Sequence, residues 1–96
     1  MNAVLLVGIG QTAVFYVPSG LLTNSIVSPL TVAVSPGAGG TVTVEYQVAQ
    51  GGAWRAVAEG NLAGTLSAAA SDVLLGPVFA LRVTAAAAAA TVEVAQ

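Results

Sequence analysis

Six side chains carry formal charge in these 96 residues: Glu45, Glu59, Asp72 and Glu93, and the cations Arg55 and Arg82. Tyr16 and Tyr46 complete the ionisable side chains, because the chain has no His, no Cys and no Lys. Nucleophilic thiols, imidazole bases, Schiff-base amines and His/Cys metal sites are excluded by that composition. Paired carboxylates are the chemistry left. A glycosidase needs two carboxyls roughly 5–10 Å apart across a cleft. Here Glu45 and Glu93 fall on outward positions of strand patterns, and Glu59 and Asp72 fall near turns. Nothing in their spacing converges, and no D-x-D-x-D loop offers a calcium cage. The expectation is a non-enzymatic chain with no metal and no cofactor.

One stretch imitates a nucleotide site. Val4-Leu-Leu-Val-Gly8-Ile-Gly10-Gln-Thr-Ala13 has the spacing of the dinucleotide fingerprint, with Ala13 in the third glycine's place. That motif works by bringing backbone N–H groups at a helix N-terminus up to a pyrophosphate. Val14-Phe-Tyr-Val-Pro18 reads as strand rather than helix, and no acidic residue occurs before Glu45 to hold a ribose. The stretch is therefore read as strand and turn.

Composition then bounds the class. Hydrophobic residues make up 56% of the chain and charged ones 6%, against about 25% charged in ordinary soluble domains. A domain this small exposes a large share of its surface. Six charges cannot cover it, so Ala, Val, Thr, Gly and Ser must, and such a surface is poorly guarded against association. Two arginines cannot neutralise a run of phosphates, which argues against nucleic acid. The apolar run Ala3–Ile9 is far short of the roughly 20 residues of a spanning helix, and no basic residue precedes it as in a signal peptide. Neither a membrane nor an export route is expected.

The elements that must position these residues are strands. Thr41–Val48 alternates without a fault, setting Val42, Val44, Tyr46 and Val48 on one face. Val78–Thr84 does the same, with Phe79, Leu81 and Val83 inward and Arg82 outward, and Thr91–Val94 repeats it in miniature. Further strands are expected at Ala13–Val17, Leu30–Val34 and Ala53–Ala58, with Leu62–Leu66 and Asp72–Leu75 as additional candidates. Gly/Pro-rich turns separate them at 35–40, 50–52 and 76–77. The fold class is all-β: one antiparallel β-sandwich, Ig-like or jelly-roll-like, of about seven or eight short strands spanning 1–96. Residues 1–11 form either an N-terminal arm or an edge strand. The run Ala85–Ala90 is too short for an isolated helix and is read as a hairpin loop. Folding symmetrically about it sets Val83 opposite Val92, Leu81 opposite Val94, and Arg82 opposite Glu93.

Candidate interface residues follow from position. Trp54 shares parity with Ala56 and Ala58, as the large core residue between two sheets or as an interface anchor. Leu21-Leu22 and Leu74-Leu75 each point one side chain to either face of an extended segment, so one of each pair can reach a partner. Val4, Leu5, Leu6, Val7 and Ile9 belong to a buried edge strand or to an arm that adds to a neighbouring subunit.

The stretch Thr41-Val-Thr-Val-Glu-Tyr-Gln-Val, a Gly turn, Ala53-Trp54, Gly60, Pro77-Val-Phe-Ala-Leu-Arg-Val-Thr and Thr91-Val-Glu-Val resembles small β-sandwich proteins of tailed-bacteriophage virions. The resemblance covers roughly residues 41–95; the Ala85–Ala90 loop departs from the Gly/Asp-rich turn of that pattern. It implies a capsid decoration (cement) protein, made in the host bacterial cytoplasm. It further implies binding to the outside of the major capsid protein shell, with homo-oligomers, trimers favoured, on the virion. The alternative from another class is a tail- or fibre-associated module binding a receptor or glycan. That task needs an exposed aromatic platform, for which Tyr16, opposite in parity to Phe15, is the candidate.

Overall fold

The computed structural model describes residues 2–16, 30–74 and 78–95. Nine strands form among them: β1 (Asn2–Val7), β2 (Thr12–Tyr16), β3 (Leu30–Pro36), β4 (Thr41–Gln47), β5 (Arg55–Ala56), β6 (Thr65–Leu66), β7 (Ala70–Leu74), β8 (Ala80–Ala86) and β9 (Ala90–Ala95). They make two antiparallel sheets. The first runs β1-β9-β3-β7 and the second β2-β8-β4-β5, with β6 also on β4. The first strand thus pairs with the last and the second with the last but one. This nested order is that of a jelly roll, an antiparallel ribbon wrapped into a sandwich. The all-β, sandwich expectation holds, and the pairing selects the jelly-roll form over the Ig-like one.

The reason is the alternation of β-branched residues, which fit a pleated, half-buried surface. Val32 and Val34 of β3 and Val92 and Val94 of β9 face Val42 and Val44 of β4 and Leu81 and Val83 of β8, all at 3% exposure or less. Leu62, Val57 and Val78 are buried with them. β4 departs from the expected phase at its end: the chain leaves the sheet after Gln47, so Val48 is exposed rather than inward. Gln47 is buried instead, its amide donating to Gly52 O at 2.6 Å. The strand expected over Ala53–Ala58 shortens to two residues, and Val57 supplies its buried side chain.

The Ala85–Ala90 hairpin is the main correction. β8 and β9 do not pair; they lie in different sheets, and the alanine run carries the chain from one layer to the other. A tight hairpin needs Asn-Gly or Gly-Gly chemistry, which six alanines lack. Ala85 and Ala90 are both buried, and between them Ala87 takes φ +67°. The crossing packs under the Gly37–Gly40 turn, where Gly37 N–H donates to Ala89 O at 2.9 Å. A Cβ on Gly40 would meet the Ala88 methyl at 2.6 Å, so small residues are required on both sides of this contact. In the strand register Val83 therefore pairs with Val44 rather than Val92, Leu81 with Tyr46 rather than Val94, and Arg82 with Glu45 rather than Glu93.

Two measurements check this layout. Ala87 sits where an L side chain costs roughly 1–2 kcal/mol and glycine's extra chain entropy offsets roughly half of that. Ala87→Gly should accordingly raise unfolding stability by about 0.5–1 kcal/mol in denaturant titration. A double-mutant cycle on Arg82 and Glu45 should return about 0.2–1 kcal/mol of coupling. The same cycle on Arg82 and Glu93 should return none.

Candidate functional site

The exposed large apolar side chains are not scattered. Of the seven among the described residues, Val4, Leu6, Ile9, Val14 and Tyr16 all belong to β1, β2 and the turn between them; Val48 and Val73 are the others. Among the described residues β1 is an edge of the first sheet and β2 an edge of the second, so the two end one flank of the sandwich, with Val4 and Leu6 on the outer face of the first sheet and Val14 and Tyr16 on that of the second. Alternation explains how the chain builds it. Val7 at 2% exposure and half-buried Leu5 turn into the core, while Val4 and Leu6 stand outward at 64% and 80%. On β2, Ala13 and Phe15 pack on the core, and Val14 and Tyr16 face out. No charged residue occurs before Glu45, so the flank's own strands contribute none.

The Gly8-Ile-Gly10 segment that imitates a nucleotide loop is the turn joining these two edges. Gln11 N–H donates to Gly8 O at 3.0 Å, and Gly10 has φ +69°, as the third position of a type II turn requires. Gly10 N–H then donates to Ala85 O, and Ala85 N–H to Gln11 O, at 2.9 and 3.1 Å. These bonds pin the turn to β8 and leave Ile9 projecting at 67% exposure. A strand follows, not a helix.

Of the expected interface residues, Val4, Leu6 and Ile9 are placed on this flank. Val7 is a core residue, because inward parity on β1 carries it between the sheets. Leu5 and Leu74 pack against the core, Leu74 opposite Leu30. Leu21, Leu22 and Leu75 lie outside the described residues. Segment 1–11 is an edge strand and turn over its described part, since β1 pairs with β9 along its whole length. Val14 was missed, although the signal was present: Ala13–Val17 is apolar on both parities, which an ordinary half-buried strand is not.

Trp54 is not the residue between the sheets. It stands over the outer face of the second sheet, half-buried, with the Arg82 guanidinium 4.7 Å from its ring centroid. Arg82 Nε and Nη2 both donate to Glu45 Oε1 at 3.0 Å. This stack holds Trp54 against the sheet and occupies a face of its ring. Tyr16 is braced edge-on by Phe79, ring centroids 5.8 Å apart. Glu45 and Glu93 do not meet: they stand on the outer faces of different sheets with the core between them. Among the described residues no three acidic side chains gather as metal ligands, and no helix is long and apolar enough to cross a membrane.

The opposite edge of the first sheet is built differently. On β7, Asp72 Oδ2 accepts from Asn61 N–H at 2.9 Å and its Oδ1 from Val73 N–H at 2.8 Å, while Asn61 Nδ2 donates to Ser71 O. A polar turn thus covers this edge. The Asn61 and then the Val73 N–H hold the Asp72 carboxyl below its ordinary 3.8. A lowered folded pKa gives stability that is complete above 3.8 and lost as pH falls through the lowered value. In acid titrations of unfolding free energy, the wild type should lose stability below that point. Asp72→Asn should be less stable at neutral pH and show a flatter decline.

No family model, curated protein or solved structure matches this chain.

Proposed function

We propose that this protein is a non-enzymatic structural subunit of a tailed-bacteriophage virion, a capsid decoration protein that binds the outside of the major capsid protein shell and stabilises it. The observation that carries the reading is the exposed apolar residues of β1, β2 and their turn, segments that carry no charge of their own. A surface of that kind marks a site where another subunit binds. Ile9 and Val14, at the turn and on β2, are the part assigned to the coat protein.

The mechanism is burial of area. At about 25 cal/mol per Å² of apolar surface removed from water, a modest contact per copy sums over a shell, less the cost of ordering each copy. Pulling coat subunits apart re-exposes that surface, so the shell resists internal pressure. The resemblance of residues 41–95 to small virion sandwiches supports the location. The jelly-roll order itself occurs in viral capsid and lectin domains alike and selects neither. The lectin-like alternative rests on Tyr16, 63% exposed; one ring is a small platform, and Trp54 is already engaged by Arg82.

Copy number in purified particles, measured by quantitative mass spectrometry, tests the proposal. A count comparable to that of coat subunits is expected. A handful of copies would move the chain to a vertex or tail and favour the Tyr16 reading, and absence would overturn both. Ile9→Asp should lower occupancy about tenfold or more, equivalent to about 1.4 kcal/mol. The free protein's unfolding curve should stay within about 0.5 kcal/mol, as for an exposed site.

A further inference from the structure

We infer that β1 pairs with β1 of a second copy of this chain, antiparallel about a two-fold axis at Leu5, joining the β1-β9-β3-β7 sheets of two protomers into one. An edge strand presents unpaired N–H and C=O groups, and folded proteins normally guard such edges with charge, proline or a covering loop. β7, the other edge of this sheet, is guarded by Asn61 and Asp72. β5 and β6 are two residues each, too short to template a partner. β2, the uncharged five-residue edge of the second sheet, is shorter than β1 and has its end residues Thr12 and Tyr16 engaged by Thr84 and Phe79. β1 has six residues, pairs with β9 on one side, and contains no charged residue and no proline.

Self-pairing is the fit because the edge is neutral and symmetric in its chemistry. A charged edge would meet its own charge across a two-fold axis; β1 meets none. An antiparallel pair keeps outward residues on one face only when the paired numbers sum to an even value. With the axis at Leu5, Val4 of each copy stands opposite Leu6 of the other, so all four exposed side chains lie side by side across the seam as apolar cross-strand pairs. Moving the axis to Val4 sets Leu6 against Asn2, and moving it to Leu6 sets Val4 against Gly8, leaving apolar surface uncovered. A two-fold contact of this kind closes on itself and needs no second surface. It gives a dimer, where the family resemblance implies trimers, and it leaves Ile9, Val14 and Tyr16 free beside the joined sheet. The inference does not depend on the proposed virion location.

Light scattering and sedimentation of the full chain over a wide concentration range test it without any particle. Twice the 9.3 kDa protomer mass is expected. Leu6→Lys, at an 80% exposed position, should raise the dimer dissociation constant at least tenfold while circular dichroism stays unchanged. Because the chain has no cysteine, Val4→Cys mixed with Leu6→Cys should oxidise mainly to the mixed disulfide. Monomer at every concentration, a trimer, or a dimer indifferent to Leu6→Lys would overturn the inference. Equal yields of like and mixed disulfides would overturn the Leu5 axis. A dimer absent from particles would sink the virion reading and leave this one standing.

Discussion

The interaction on which the rest depends is the face-to-face packing of two valine-rich sheet surfaces. Val32, Val34, Val92 and Val94 on one side and Val42, Val44, Leu81 and Val83 on the other leave almost no surface to water. With six charges in the chain, no network of ion pairs can share that work, and exposed pairs contribute little in any case. Every other feature is arranged around keeping these two faces in register. The type II turn at Gly8–Gln11, the crossing at Ala86–Ala89 and the turn at Gly37–Gly40 each pass the chain between layers, with backbone hydrogen bonds tying neighbouring turns together. Bulky side chains would hold those turns apart; methyl groups and hydrogens let them close.

A sandwich held this way has to end somewhere, and its edges are treated unequally. At β7 a carboxylate and an amide close the strand off. On the other flank, β1 and β2 end the two sheets side by side with apolar residues facing out. The contrast matters because both are edges of the same small domain, built with the same few residue types. Among the described residues one edge is covered by Asn61 and Asp72 and the other is bare, and the bare one is the surface both proposals use. The functional reading and the dimer both rest on that asymmetry, the first on its turn and β2, the second on β1.

Much of this was legible in the residues. Alternation placed Val42, Val44, Leu81 and Val83 inward and Arg82 outward, and the turn chemistry bounded the strands. Val4, Leu6 and Ile9 were marked as contact candidates from their position in an apolar run. The errors have physical causes. The core reading of Trp54, one of the two open to it, rests on what a large aromatic ring gains from burial, yet its neighbours Arg55 and Ala56 form only a two-residue strand, and the ring lies on the guanidinium of Arg82 instead. Val7 was grouped with its exposed neighbours because a continuous apolar run carries no periodicity by which to separate inward from outward. Val48, expected inward, is exposed and Gln47 is buried in its stead, its amide donating to Gly52 O.

The sequence alone determined that this protein is all-β, that it has no His, Cys or Lys, and that apolar surface must remain outside. Those follow from composition and from period-two alternation, which are local or additive properties. Which strands pair was decided only by the tertiary structure. Alternation says which face of a strand is apolar but is blind to the strand beside it, so a chain passing through Ala85–Ala90 can return within its sheet or cross to the other. The crossing prevails because β8 and β9 are each already flanked on both sides, by β2 and β4 and by β1 and β3, as the nested order demands. That order alone makes β1 and β2 edges, and thereby turns two ordinary apolar strands into the exposed flank.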